Sequence, residues 1–217
     1  MYKKASITFN TTAMEIEPEI NPDIPGMPPA GKEFIRGINA RRSFYLQQYG
    51  MSDSEFASMA ALAANLAQHE TAMGRSYRYR VKQLLPDWVI GAIKFFCGRK
   101  IDSPSRGFTQ IKYKDDLTIP ELCQMYKVFD ITDDNIQHDP RKMADATLAR
   151  LYYNKSRMNS VYHWSDGEEI PDDVAQYLYW NAGKLTDGKN PNMNDPETSG
   201  YSGRARRFNK AKIIRTI

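Results

Sequence analysis

One long alanine-rich segment, residues 52 to 74, constrains the fold of this chain more than any other feature of the sequence. It reads SDSEFASMAALAANLAQHETAMG. Ser52 and Glu55 have the spacing of a capping box and Gly74 is a natural helix stop, so the segment is predicted to form one helix. Alanine has the highest helix propensity of all residues, which strengthens that prediction. The rest of the chain is expected to pack around this helix.

Glu70 ends an apolar face of the predicted helix. Six residues spaced by three or four positions share that face: Phe56, Met59, Ala60, Ala63, Ala67 and Glu70. The face is predicted to point into the protein, and partial burial of Glu70 would disfavour its charged form and raise its pKa. Such a carboxyl group can serve as the general acid of a glycosidase. The alternative is a surface glutamate in the last turn, paired with an arginine such as Arg75 or Arg78.

The composition indicates a globular protein with its own hydrophobic core, because 41% of the 217 residues are hydrophobic. The longest apolar run, residues 88 to 97, is interrupted by Lys94 and is too short to span a bilayer, and no apolar region of a signal peptide follows the first lysines. We therefore expect neither a membrane span nor a signal peptide. Cys97 and Cys123 are too few for a disulfide framework, and the sequence leaves their redox state open.

Proline content and charge divide the chain into three parts. Residues 1 to 31 contain five prolines and four acidic residues, which predicts an extended arm. Residues 32 to 185 are predicted to form a mainly α domain with a small β-hairpin, α+β in the broad sense. Residues 186 to 217 are predicted to be a basic tail, because six basic residues and no acid follow Glu197 in a chain of net charge +4.

Local signals predict further elements inside the domain. A first helix is expected over residues 32 to 49, before the alanine-rich helix. Residues 101 to 117 are rich in turn formers with a brief β-like alternation, which predicts a loop leading into a short hairpin. Thr118 and Glu121 have capping-box spacing and predict the start of a helix. Asp139, followed by proline, predicts the start of a longer one.

Three separated motifs resemble one known family. They are Glu70-Thr71, the segment SRGFTQI at residues 105 to 111, and the segment YWNAG at residues 179 to 183. In this order they resemble the lysozyme-like catalytic domain of soluble lytic transglycosylases, and the middle motif is also similar to goose-type lysozymes. Those families are expected to have serine at the position of Thr71 and tyrosine at that of Trp180.

The resemblance implies a role for each matching residue. Glu70 would be the general acid and base. Ser105 and Gln110 would be hydrogen-bonding groups beside the sugar, and Asn181 would support the site. Apart from the resemblance, the aromatic residues Tyr113, Trp164 and Trp180 are further candidates for substrate binding. Hydroxyl and amide groups would orient an N-acetyl sugar and aromatic rings would stack on sugars, with core packing as the alternative for each ring. Thirty-five positions separate Glu70 from Ser105, longer than the family pattern, so residues 77 to 98 are interpreted as an insertion that borders the cleft.

The same residues are compatible in part with two other chemistries. His69 and Glu70 begin a zinc-protease motif, but Met73 stands where its second histidine is required, so no metal and no other cofactor is expected. A two-carboxylate glycosidase would need a partner for Glu70, and the nearest in sequence are Asp102, Asp115 and Asp116. The family mechanism needs none, because the muramyl 6-hydroxyl attacks and gives a 1,6-anhydro product.

The expected function is cleavage of the glycan strands of peptidoglycan by a lytic transglycosylase or muramidase. Because no signal peptide is expected, delivery to the cell wall would use a phage virion or lysis system, or a dedicated secretion machine. The arm and tail are candidate contacts with proteins of such an assembly. A basic tail can also bind nucleic acid, which the scarcity of interleaved aromatics disfavours here. The alternative function is that of a non-catalytic lysozyme-like structural protein of a virion or secretion apparatus.

Overall fold

The computed structural model describes residues 5–6, 19–97, 105–158, 169–182, 207–209 and 212–215. Within these ranges the fold is mainly helical, as the sequence predicts. The helices are α1 (Pro29–Asn39), α2 (Arg42–Tyr49), α3 (Asp53–Thr71), α4 (Tyr77–Leu84), α5 (Asp87–Phe96), α6 (Tyr113–Asp116), α7 (Pro120–Val128), α8 (Asn135–His138), α9 (Pro140–Arg157) and α10 (Asp172–Ala182). Two short strands, β1 (Ala5–Ser6) and β2 (Ile214–Arg215), pair in parallel. None of the described helices is both long enough and apolar enough to cross a membrane.

Helix α3 begins with the predicted capping box. The Ser52 hydroxyl oxygen accepts a hydrogen bond from the Glu55 backbone N–H at 3.2 Å, and the Glu55 carboxylate accepts one from the Ser52 backbone N–H at 2.9 Å. These reciprocal bonds satisfy backbone donors that the first helical turn leaves without partners. The start of the alanine-rich helix is therefore confirmed.

Helix α3 is buried on opposite sides, and not only along the predicted face. Phe56 and Ala63 of that face are 2% and 0% exposed. Ala61 and Asn65 point the other way, and both are 3% exposed. Helices α1, α2, α9 and α10 and strand β2 all contact α3. Since an alanine side chain is a single methyl group, these neighbours can approach the α3 backbone closely.

Asn65 binds the C-terminal segment to the centre of the fold. Its side-chain oxygen accepts hydrogen bonds from the backbone N–H groups of Ile213 and Ile214 at 2.9 and 3.0 Å, and its amide donates to the Ile214 carbonyl at 2.9 Å. Phe208, Ile213 and Ile214 are buried. The described residues of the basic tail therefore pack against the helical domain.

The described part of the N-terminal arm also packs against the domain. Ile20, Ile24 and Met27 are buried in the core. Asn39, at the end of α1, accepts a hydrogen bond from the Ile20 N–H at 3.3 Å and donates one to the Ile20 carbonyl at 2.9 Å. This part of the arm is thus held by apolar burial and by the hydrogen bonds of the Asn39 side chain to the Ile20 backbone.

The single helix expected over residues 32 to 49 is instead two helices. Helix α1 ends at Asn39 and α2 begins at Arg42. At the break, the Arg41 guanidinium makes a two-pronged ion pair with Asp145 of α9, at 2.6 and 2.7 Å. This bidentate bond stabilises the bend because the Asp145 side chain is almost fully buried and needs a charged partner.

The β-hairpin expected within residues 101 to 117 is not confirmed. Its described part contains one isolated antiparallel bridge, between Arg106 and Ile111, followed by the short helix α6. The capping box expected at Thr118 is wrong, because α7 begins at Pro120 without a side-chain cap. The Thr118 hydroxyl donates instead to the Asp115 carbonyl at the end of α6, at 2.6 Å. The predicted start of α9 is confirmed, because Asp139 caps it with bonds from two backbone N–H groups.

Candidate active site

Glu70 and Thr71 are the last two residues of α3. Glu70 is partly buried, whereas Thr71 is 1% exposed. The chain then passes through left-handed conformations at Ala72, Met73 and Gly74, with φ values of 51°, 54° and 85°. This three-residue turn ends the helix earlier than Gly74 alone would, and it leaves the carboxyl end of α3 facing the segment that carries the second motif.

The second motif forms a tight turn, which we call the site turn (residues 105 to 111). Arg106 and Ile111 exchange two backbone hydrogen bonds, of 2.6 and 2.8 Å, that close it. Gly107 and Gln110 both have positive φ, at 66° and 59°. A Cβ at Gly107 would approach the Ile136 carbonyl oxygen to 3.0 Å, so the position requires glycine.

Ser105 and Gln110 lie side by side in the site turn. The Ser105 hydroxyl donates to the Gln110 side-chain oxygen at 3.1 Å, and the Gln110 amide donates to the Gly107 carbonyl at 2.9 Å. Both residues are partly exposed. Their hydroxyl and amide groups therefore form one small polar cluster at the surface of the turn.

Thr71 connects the end of α3 to the site turn. Its hydroxyl lies 3.0 Å from the Phe108 carbonyl oxygen and 3.1 Å from the Ala67 carbonyl oxygen, and it accepts a hydrogen bond from the Gly74 N–H at 3.2 Å. The Ala67 carbonyl already accepts a bond from the Met73 N–H. We therefore assign the Thr71 hydroxyl proton to the bond with the Phe108 carbonyl. This hydrogen bond joins the first motif to the second.

Trp180 connects the third motif to the same turn. Its indole N–H donates to the Thr109 carbonyl at 3.2 Å, and the ring is partly buried against the core. Asn181 is the next residue of α10, and its side chain lies outside the described part of the structure. The carbonyls of two successive residues, Phe108 and Thr109, thus receive hydrogen bonds from the first and third motifs.

Two buried contacts fix the site turn to the rest of the fold. Arg106 is 6% exposed and its guanidinium pairs with Asp133 at 3.0 Å. The Thr109 hydroxyl is 2.8 Å from the Thr147 hydroxyl of α9. The turn is therefore held from several directions, which suits a segment that must keep side chains in fixed positions.

The remaining aromatic candidates are Tyr113 and Trp164. The Tyr113 ring stacks on Tyr126 with centroids 5.7 Å apart, and its hydroxyl donates to the Ile131 carbonyl at 3.1 Å. Burial raises the pKa of the Tyr113 phenol. Trp164 lies outside the described residues. The sugar-stacking roles of these two residues stay predictions.

The candidate second carboxylates differ in their surroundings. Asp116 is fully buried, forms an ion pair with Arg150 of α9, and accepts a hydrogen bond from the Tyr126 hydroxyl at 2.7 Å. Burial lowers the pKa of Arg150 and raises that of Tyr126 well above its usual range. Asp115 is exposed on α6, and Asp102 lies outside the described residues. The Asp116 carboxylate is therefore part of a buried structural ion pair.

One arrangement beside Glu70 was missed in the sequence. The His69 ring nitrogen Nε2 lies 3.0 Å from the Tyr177 hydroxyl of α10, and the Tyr177 ring stacks on Phe208 with centroids 4.3 Å apart. The sequence itself indicates His69 only as part of an incomplete zinc-protease motif. No local sequence pattern predicts this contact, because His69, Tyr177 and Phe208 come from three distant parts of the chain. In the part of the chain that the structure describes, no cluster of three or more potential metal-ligating residues occurs.

The predicted insertion lines a groove near the end of α3. This groove has a volume of about 430 Å³ and is bounded by Gly74, Phe108, Tyr79 and Leu84, among other residues. The Tyr79 ring of α4 meets the Phe108 ring edge to face, with centroids 5.7 Å apart. Helix α4 therefore packs directly against the site turn, through the Phe108 ring.

Comparisons with known proteins give no relative for this chain: no protein-family model, no curated protein and no solved structure matches it.

Proposed function

We propose that this chain cleaves the β-1,4 bond between N-acetylmuramic acid and N-acetylglucosamine in peptidoglycan, as a lytic transglycosylase in which Glu70 is the single acid and base. The observation that carries the proposal is the meeting of three distant motifs at one turn. Thr71 and Trp180 donate hydrogen bonds to the adjacent carbonyls of Phe108 and Thr109. A glycosidase needs its acid held rigidly beside the polar groups that orient the sugar. The Thr71 bond attaches the turn that carries Ser105 and Gln110 to the residue that follows Glu70.

The acid step would use the neutral form of Glu70. Glu70 is partly buried and lies in the last turn of α3. The Glu70 carboxyl group would donate its proton to the glycosidic oxygen as the bond from that oxygen to the muramyl C1 breaks. The departing sugar then leaves with an ordinary 4-hydroxyl group.

The second step returns the proton to Glu70. The Glu70 carboxylate would take the proton of the muramyl 6-hydroxyl while that oxygen forms a bond to C1, which closes a 1,6-anhydro ring. No water is consumed. An internal hydroxyl has a high effective concentration, so it can react without a second carboxylate. The structural ion pair of Asp116 supports this route, since that residue is not available as a partner.

The polar cluster of the site turn would position the substrate. Ser105 and Gln110 are hydrogen-bonded to each other. A sugar N-acetyl group could replace this bond and form hydrogen bonds with both the Ser105 hydroxyl and the Gln110 amide. Trp180 would mainly support the turn, because its indole N–H is used by the Thr109 carbonyl. These residues determine orientation, whereas Glu70 carries the proton.

The experiment that tests the assignment compares two Glu→Gln variants in a zymogram with purified cell walls. Glu70→Gln should fold normally and lose wall digestion by about 10²–10⁴-fold. Glu121→Gln is the matched control, because Glu121 is an exposed residue of α7 that pairs with Arg157; it should digest walls at the wild-type rate. A Glu70→Gln variant with wild-type activity would contradict the assignment. Complete inactivity of the wild-type protein would favour the non-catalytic structural alternative.

The product distinguishes the two enzymatic routes. Mass spectrometry of digested peptidoglycan should show 1,6-anhydromuropeptides, which are lighter by one water than hydrolysed muropeptides. Asp115→Asn should leave the product unchanged. Muropeptides with only reducing ends, together with loss of activity in Asp115→Asn, would make the protein a two-carboxylate muramidase.

A further inference from the structure

The helical pair α4–α5 exposes a concentration of large apolar side chains. Among the described residues, eight large hydrophobic side chains are exposed, and six of them belong to this pair. They are Tyr77, Leu84, Trp88, Ile93, Phe95 and Phe96. Trp88 is 75% exposed and Phe96 is 85% exposed. Single exposed apolar residues are common, but clustered ones mark a surface that contacts something other than water.

One residue of α4 anchors the pair to the domain. Tyr79 is 9% exposed and packs edge to face on Phe108. By contrast, every described side chain of α5 is at least partly exposed. Helix α5 is only ten residues long, so it cannot cross a bilayer. A short apolar helix with exposed aromatic side chains can lie along a surface.

The charge of this segment identifies the kind of surface. Residues 77 to 96, which form α4, α5 and their connection, contain four basic residues and one acidic residue. Aromatic side chains next to basic ones suit the interface of an anionic bilayer, where rings enter the headgroup region and cations attract lipid phosphates. A second copy of the chain is a poor occupant, because a two-fold contact through this segment would bring the same basic residues together.

We propose that the α4–α5 pair docks this protein on the surface of an anionic lipid bilayer, with Trp88, Phe95 and Phe96 entering the interface. The apolar side chains supply burial and the basic residues supply attraction, and both are needed for stable interfacial binding. The proposal does not depend on glycosidase activity, since it concerns a surface and not the site turn.

The test is co-sedimentation of the full chain with two kinds of vesicle. One contains phosphatidylglycerol and phosphatidylethanolamine in equal amounts, and the other contains phosphatidylcholine alone. The protein should bind the first at least about tenfold more tightly than the second, and high salt should weaken that binding because it shortens the range of charge attraction. A variant with Trp88, Phe95 and Phe96 all replaced by serine should lose binding by about tenfold or more.

The matched control replaces Leu117 and Val128 by serine. These are the other two large exposed hydrophobics of the described residues, at 38% and 59% exposure. This variant should bind anionic vesicles as the wild type does, and circular dichroism should show that both variants fold. Failure of the wild type to bind anionic vesicles would overturn the proposal, as would unchanged binding of the triple variant. A concentration-dependent dimer that the triple variant loses, without vesicle binding, would assign the surface to self-association instead.

Discussion

Thr71→Val should remove the hydrogen bond between the end of α3 and the site turn while preserving side-chain shape. Thr71 is 1% exposed, and its hydroxyl is placed to bond the Phe108 carbonyl at 3.0 Å and to accept from the Gly74 N–H at 3.2 Å. Valine replaces that hydroxyl by a methyl group. In the valine variant the Gly74 N–H can still donate to the Thr71 backbone carbonyl at 3.1 Å. The group that loses a hydrogen-bond donor is therefore mainly the Phe108 carbonyl. A buried polar group left without its partner costs about 1–3 kcal/mol.

The measurement is urea unfolding of Thr71→Val beside Thr71→Ser. Serine keeps the hydroxyl and loses one methyl group, which costs about 0.8 kcal/mol of burial. The valine variant keeps its apolar volume, so its loss of unfolding free energy relative to the wild type reports the loss of the hydroxyl contacts. We expect Thr71→Val to be the less stable of the two variants.

Activity provides the second readout for this pair. Under the proposed function, Thr71→Val should lower wall digestion under conditions in which both variants are fully folded, because Glu70 is the neighbouring residue and the site turn would no longer be fixed to it. Thr71→Ser should retain activity. Equal stability and equal activity of the two variants would refute the reasoning that this hydroxyl joins the two motifs.

Three further predictions concern the surroundings of the site. Gly74→Ala should destabilise the fold more than Gly50→Ala, because both have positive φ but a Cβ at position 74 would come within 2.7 Å of an aromatic ring atom, whereas nothing lies within 4 Å at Gly50; equal losses of unfolding free energy would contradict this. Asp116→Asn should cost about 3–5 kcal/mol, since it leaves Arg150 buried without its charged partner, yet leave the product of wall digestion unchanged. Burial raises the pKa of Tyr79 to about 12. The folded state therefore favours the neutral phenol, and the stability that this group contributes is fully present below about pH 10. That stability is lost as the pH rises from there through about 12. In alkaline unfolding experiments Tyr79→Phe should reduce this loss, and an unchanged pH dependence would argue against it.

Local sequence signals predicted the elements that depend on local chemistry. The capping box at Ser52 and the cap at Asp139 each involve residues within three positions of one another, so their bonds could be recognised from spacing. The buried face of α3 followed from the same periodicity. The meeting of Thr71 and Trp180 at the site turn could be suggested only through the order of the motifs, and the chemical roles of these residues stay predictions.

Long-range contacts account for what the sequence did not predict. The break between α1 and α2 is stabilised by the ion pair of Arg41 with Asp145, 104 positions away. The C-terminal segment is bound by Asn65, 149 positions before Ile214. An asparagine in the middle of a helix gives no local sign of such a partner. Alternation over a few residues predicts a hairpin, but a tight turn closed by one bridge has the same short pattern. The sequence alone therefore does not distinguish the two.

The small side chains of α3 explain how one helix can support the candidate site from several directions. A helix with large apolar residues on every side would keep its neighbours at a distance and would need a larger domain to cover it. In α3, alanines such as Ala60, Ala63 and Ala64 are 2% exposed or less, so α1, α9 and α10 pack close to its axis. Helix α10 then brings Trp180 to the turn that Thr71 also binds, and α9 contributes Thr147 to that turn. Enlarging one of these alanines should therefore disturb the site turn as well as the core, because the same helices hold both.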